Sequence, residues 1–465
     1  MLKTPAIAPP SRFETNFIHG ILLAAFIVQA NAIYHHGVYG QDFVFHLKWV
    51  LQAAAQPFQW MFAWQERTSP PLYHYLVSLL YRACDGIHWV GMTGLVSAGI
   101  NTLALRLFYA TSRLLIANVN LRLALLALVA FLPVTLIHSV VLAADSLSQL
   151  PFFVIVYALV SLSLGRMSAA RAFTYVSLAS CFAFSTKFVA VSLIPATLCA
   201  ILVLCYSRLV PWRRGLAFLA VFLALSSAME YYWFTQNPAN ITANFSSKVG
   251  AQQDQPAKLT LRSLFFFQPG DAYLLDAPTY RTLVRNYPDS PASLHNTNYF
   301  SFPGLAIYAI FTDAMNIFQV KGRDSFGYRM TNGQQAMAIS VKTGLGIAVA
   351  MLLGTAWVSL AAARQAWTQR SPAAAAILCV GLFAAAWLAF IMTLLPLATV
   401  GIWFGYWIPR LFIPSIWAIG LLGFYALDQL TVARRGAAVV AGVVLAAMLL
   451  QAGLHVTFLW RWVPY

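Results

Sequence analysis

YGQDFVFHLKWV (39–50) and QERTSPPLYHYL (65–76) frame the stretch from which the fold and the chemistry are read. Both follow a first long apolar run, and both are set in apolar surroundings. Yet Asp42, His46, Lys48, Glu66, Arg67 and His74 stand here among aromatics and the Pro70-Pro71 pair. Ionisable side chains held against a bilayer are costly and mark function far more often than ordinary packing. The two segments therefore read as a polar loop beside a membrane, with interfacial helices. Asp42 is its candidate acid/base.

The rest of the chain supplies the membrane. Of 465 residues, 60% are hydrophobic and 9% are charged, with a mean hydropathy of +0.71. A soluble domain carries about 25% charged residues. The formal net charge of +16 does not indicate a nucleic-acid partner, because the basic residues are not gathered on one polar domain. They lie at the ends of apolar runs, as the positive-inside bias requires. The five cysteines (84, 181, 199, 205 and 379) form no CxxC pair and no Cys/His cluster, so neither a disulfide framework nor a zinc site is expected. No metal or other cofactor is expected.

The fold expected is an all-α polytopic membrane protein of about eleven transmembrane helices. The spans read as about 17–34, 92–111, 123–143, 149–164, 173–185, 189–206, 215–233, 343–363, 373–396, 411–428 and 437–457. Residues 70–86 are apolar over too short a length to cross a bilayer and read as an interfacial helix, with the prolines in its first turn. Three regions follow: an N-terminal transmembrane module (1–233) with a catalytic first external loop (35–90), a long external loop or small domain (234–342), and C-terminal transmembrane helices (343–465). Within the long loop, residues 299–318 are apolar enough to lie on the membrane or tuck into the bundle. The proposed inner segments hold Lys3, Arg12, Arg113, Arg122, Arg166, Arg171, Arg208, Arg213, Arg214, Arg364, Arg370, Arg434 and Arg435 against one acid, Glu14. That bias puts the N-terminus in the cytoplasm. The same topology sends Asp42, Asp145, Lys187, Arg410 and the long loop to the opposite face.

Each candidate has a structural alternative. Asp42 and His46, four apart, share one helix face, either as a partly desolvated base and its neighbour or as part of a solvated interfacial helix. Asp145 either serves the site or caps the fourth span. Lys187 and Arg410 either hold an anion at the bilayer surface or anchor their helices there. Together, one carboxylate base, a second acid and two surface cations suit a sugar carried on a lipid phosphate. Fixed positive charge stabilises the departing phosphate as the glycosidic bond breaks.

These motifs resemble the multispanning GT-C glycosyltransferases, in the branch of the dolichyl-phosphate-mannose protein mannosyltransferases and the lipid A aminoarabinose transferases. Asp42-Phe43-Val44-Phe45-His46 is similar to their D-E-x-x-H pattern, and Ser69-Pro70-Pro71-Leu72-Tyr73-His74-Tyr75 to their H-P-P-L-Y-Y. The Asp145 junction resembles their second external acid, Ser185-Thr186-Lys187-Phe188 their T-K-[FY], and Arg410-Leu411-Phe412-Ile413-Pro414 their R-Y-L-x-P. Phe43, Ser69 and Leu411 depart from those patterns.

The resemblance implies an inverting transfer from a polyprenyl-phosphate sugar to a glycan, lipid or protein acceptor at the periplasmic face of a bacterial inner membrane. Asp42 would be the general base and Asp145 would orient hydroxyls. Lys187 and Arg410 would hold the carrier phosphate, with Arg67 and Lys48 as second candidates for that role. His46, Tyr73 and His74, inside the matched motifs, join the substrate-binding set. The alternatives are a lipid-linked oligosaccharide polymerase or ligase, and a transporter or flippase.

Overall fold

The computed structural model describes residues 9–36, 43–62, 70–236, 310–311, 330–398 and 409–430, with a few single positions from 436 to 446. Among the described residues the secondary structure is helical throughout, with no strand. Seven of these helices are long and apolar enough to cross a membrane. They lie in α1 (Arg12–His36), α5 (Trp89–Leu115), the 3₁₀ turn Phe188–Ser192 continued by α10 (Leu193–Tyr206), α11 (Trp212–Gln236), α12 (Met330–Gln369), α13 (Pro372–Ala398) and α14 (Pro409–Leu430). The eleventh expected span, at 437–457, and nearly all of 234–342 lie outside the described residues. Phe311, from that long segment, is buried in the main core and so tucks into the bundle.

The third expected span is not one helix. α6 (Val119–Phe131) stops before Pro133, and α7 (Pro133–His138) is a separate short helix. Leu132 between them is extended, with ψ 130°. Proline has no N–H to give to the preceding turn and pushes the residue before it out of the helical region. The apolar run hides this break, because hydropathy does not register backbone donors. α8 (Asp145–Ser163) and α9 (Ala169–Thr186) follow the expected fourth and fifth spans. α9 begins earlier than expected because the Ser168 side chain accepts the Arg171 N–H and caps it.

α1 packs on α5, α5 on α8, and α8 on α9 and α13, while α12, α13 and α14 pack together. The core divides in two. A large cluster runs through the bundle, and a smaller one gathers Val28, Ala32, Ile33, Val50, Tyr73, Val77, Trp89, Leu136, Val140–Ala144 and Leu147. The smaller cluster lies where α1 ends and α5 and α8 begin, which the charge pattern names the outer face. At the opposite end, buried Glu14 meets Arg122 at 2.7 Å and accepts from the Tyr109 hydroxyl. Arg122 also donates to the Ile116 and Ala117 carbonyls, and Asp428 of α14 accepts the Ala117 and Asn118 N–H groups. This polar knot ties α1, the α5–α6 turn and α14 together.

α12 and α14 approach closely at Gly423. A Cβ there would lie 2.9 Å from the Met351 Cα, a backbone atom that cannot swing aside. Gly423→Ala should therefore force the two helices apart and cost about 1–3 kcal/mol, read as a lower melting temperature. An unchanged melting temperature would show that the helices are not in contact there.

Candidate functional site

The end of the bundle that holds the smaller cluster carries three short helices after α1, α2 (Phe43–Ala55), α3 (Pro57–Phe62) and α4 (Leu72–Ala83). α2 buries one face, with His46, Val50, Ala53 and Ala54 at helical spacing. That face meets α4 at two places. His46 Nδ1 and His74 Nε2 lie 2.8 Å apart, one ring donating to the other. Further along, the Arg82 guanidinium donates to the Ala54 carbonyl from Nε at 2.9 Å. Here a cation satisfies the carbonyl end of α2, where the helix dipole favours positive charge. Both contacts join residues 28 apart, so α2 and α4 run parallel. A parallel pair needs a return connection, which α3 begins. Trp60 of α3 is fully buried and donates its indole N–H to the Pro71 carbonyl at 3.2 Å, just before α4.

Aromatic rings enclose the histidines. The two imidazoles stack with centroids 5.1 Å apart, and Trp49, Trp60 and Tyr73 meet the His74 ring edge-on. Burial pushes the Tyr73 phenol well above its ordinary pKa, only partly opposed by the nearby Ala143 backbone, so this side chain stays protonated and neutral. Its hydroxyl does not meet hydrogen-bond geometry with any described group. Exchanging His46 or His74 for Leu removes the ring-to-ring hydrogen bond from a buried partner and should cost about 1–3 kcal/mol each. In a double-mutant cycle the two should couple by about 0.5–3 kcal/mol. Strict additivity in chemical unfolding would dissolve the pair.

Other segments meet this platform. Tyr73, Val77 and Val50 share the outer cluster with Val140–Ala144 and Leu147, the residues either side of Asp145. Phe182, five residues before Lys187 on α9, packs against the same cluster. α14 reaches it through α7, where the Trp417 indole donates to Thr135 Oγ1 at 3.1 Å, next to Leu136 of the cluster. Trp387 donates to the Leu411 carbonyl at 2.6 Å and holds the start of α14 against α13.

The expected site residues fall out as follows. Asp42 and Arg67 lie outside the described residues, and α2 begins at Phe43, immediately after Asp42. Asp145 is the first residue of α8, whose N-cap is Ala144, so the expected cap position moves by one residue. The first turn of a helix is a position where the helix dipole favours an acidic residue. Lys187 is half-buried and is the single extended residue between α9 and the 3₁₀ turn, with φ −153° and ψ 134°. Arg410 is the second residue of α14. His46, Tyr73 and His74 are buried together. Lys48 is exposed, two residues after His46 on α2. Sequence reasoning missed the roles of Trp49 and Trp60. Their aromatic character was visible, but their meeting with His74 is a tertiary event. Among the described residues, no three His, Cys, Asp or Glu side chains gather as a metal site.

Two solved structures are similar to this chain, both of ArnT from Cupriavidus metallidurans. The form bound to undecaprenyl phosphate is 14% identical, with 89% of this chain and 78% of that one covered and a TM-score of 0.36. The apo form is also 14% identical, with 94% and 78% covered and a TM-score of 0.38. No protein-family model and no curated protein matches the chain.

Proposed function

We propose that this membrane protein is an inverting glycosyltransferase that moves a sugar from a polyprenyl-phosphate-linked donor to an acceptor at the outer face. The observation that supports it best is the shared outer cluster. It packs the first-loop helices that follow Asp42 against the α7–α8 junction that carries Asp145, beside the end of α9 that leads to Lys187. Segments far apart in sequence that neighbour the candidate acids and one candidate cation thereby meet at one end of the bundle.

In the proposed reaction, the Asp42 carboxylate takes the proton from the acceptor hydroxyl or amine. The acceptor atom attacks the anomeric carbon from the side opposite the phosphate. The bond from that carbon to the phosphate oxygen breaks, and its electron pair leaves with the polyprenyl phosphate. Lys187 and Arg410 offset the charge gathering on that oxygen, and Asp145 orients hydroxyls. Residues 1–233 would carry the catalytic loop, 234–342 an outer segment over the site, and 343–465 the closing helices. The setting proposed is a bacterial inner membrane with the site in the periplasm.

Incubating the purified protein with polyprenyl phosphates carrying different single sugars, and following release of the bare carrier, tests the reading. At least one donor should be turned over in the presence of acceptor-rich envelope extract. Silence across the whole panel would discard sugar transfer.

A further inference from the structure

The two hydrophobic clusters meet along a layer that is not hydrophobic. On α1, Ala25 belongs to the inner cluster and Val28, Ala32 and Ile33 to the outer one, and Gln29 stands next to Val28, where the outer one begins. On α5, Leu95 and Ile100 pack against the outer cluster and Ala104 and Leu105 belong to the inner one, with Asn101 between. On α8, Gln149 separates Leu147 of the outer cluster from Phe152 and Phe153 of the inner one. On α9, Ser180 follows Ala179 of the inner cluster, which continues through Ala183 and Phe184, while the intervening Phe182 packs on the outer one. These four helices are neighbours in series, α1 to α5 to α8 to α9. α6 also breaks at this level, where Phe131 packs against both clusters.

All four polar side chains are buried, with 1% or less exposure. Both polar atoms of each carboxamide, and the Ser180 hydroxyl, have no hydrogen-bond partner among the described residues. A buried polar group left so costs about 1–3 kcal/mol, and native folds retain such groups where something else satisfies them. Three of them, on neighbouring helices where the two clusters meet, with Ser180 on the next helix, are not packing accidents of a single helix. A membrane bundle has every reason to place Leu at such positions.

We propose that Gln29, Asn101, Gln149 and Ser180 form a binding layer for an uncharged, hydroxyl-rich group, and that this group is the sugar of the lipid-linked donor. This inference rests on the proposed sugar transfer. The chemistry follows from the side chains. A carboxamide offers two donors and an acceptor, and a hydroxyl offers both, which matches the mixed demand of sugar hydroxyls. The buried charged side chains among the described residues, Glu14 and Arg122, are at the inner end, so this layer does not select a phosphate. In the state described the layer is sealed, and the ligand enters by parting the outer cluster from the inner one. The proline break between α6 and α7 supplies a joint at that level.

The test uses the full-length protein in detergent micelles and measures lipid binding by competition in native mass spectrometry. The probes are polyprenyl phosphates carrying glucose, mannose or 4-amino-arabinose, and bare polyprenyl phosphate. Wild type should prefer one glycosylated lipid over the bare carrier by about tenfold or more, since a site made to bond hydroxyls discriminates strongly against their absence. Gln29→Met, Asn101→Leu and Gln149→Met should each erode that preference, and together bring it near one, while melting at or above the wild-type temperature. A triple variant that keeps the preference overturns the layer. Should that variant fail to fold, Ser180→Ala decides: an unchanged preference overturns the proposal and a fall of a few-fold supports it. If wild type binds the carrier without regard to sugar, the layer is overturned while a carrier-binding site survives. If wild type binds none of the lipids, the proposed function fails, and the layer with it.

Discussion

Asp42→Asn should lower sugar transfer from a polyprenyl-phosphate donor by at least about a hundredfold and leave the melting temperature of the purified protein unchanged. The substitution keeps the size of the side chain and removes its capacity to take a proton. A positioned general base contributes about 10²–10⁴-fold to a transfer of this kind, and its loss falls on the chemical step. Donor affinity should therefore stay near wild type while turnover collapses, which single-turnover measurements on a fixed lipid concentration resolve. The companion substitution Lys187→Met should behave differently. It removes fixed charge from beside the carrier phosphate, and so weakens donor binding as well as turnover. Wild-type turnover by Asp42→Asn would remove Asp42 from the reaction and leave the first external loop as scaffold.

The second large effect is on stability, at the other end of the bundle. Glu14 and Arg122 are buried, 3% and 8% exposed, with their charged groups 2.7 Å apart. Arg122→Met leaves the Glu14 carboxylate with the Tyr109 hydroxyl and a distant Arg113, 3.9 Å away. Breaking a buried pair from one side costs about 3–5 kcal/mol, because the remaining charge stays out of water. The Arg122 side chain also leaves the Ile116 and Ala117 carbonyls. Adding Glu14→Gln to Arg122→Met should restore a large part of the loss, since the carboxamide carries no charge to strand. Thermal unfolding of the three variants in one detergent gives the comparison. A double variant no more stable than Arg122→Met alone would mean that the carbonyl contacts, and not the ion pair, hold this end.

What could be read from the residues, and what could not, follows the range of the interactions. Hydropathy runs and basic residues at their ends are local, and they marked α1, α5, α10, α11, α13 and α14 close to where they stand. The interfacial helix was legible from its length and its prolines, and α4 occupies Leu72–Ala83. Pro133 was in view too, but an apolar run reads straight through it, and the backbone does not. The pairing of Glu14 with Arg122, 108 positions apart, leaves no trace in either neighbourhood. Positive charge near an inner helix end predicts a side of the membrane and not a partner. The same holds for His46 and His74. Spacing placed His46 on a face with Asp42, whereas its observed neighbour is a ring 28 positions later.

The clamp of Asp428 on the Ala117 N–H joins groups 311 positions apart. At about 5–20 residues per second, translation delivers this carboxylate some tens of seconds or more after the turn it closes. Until then water must serve those amides, so the early hairpin waits with its knot untied. Late synthesis thus locks what early insertion laid down, and a ribosome stalled before α14 holds a bundle still open on that side.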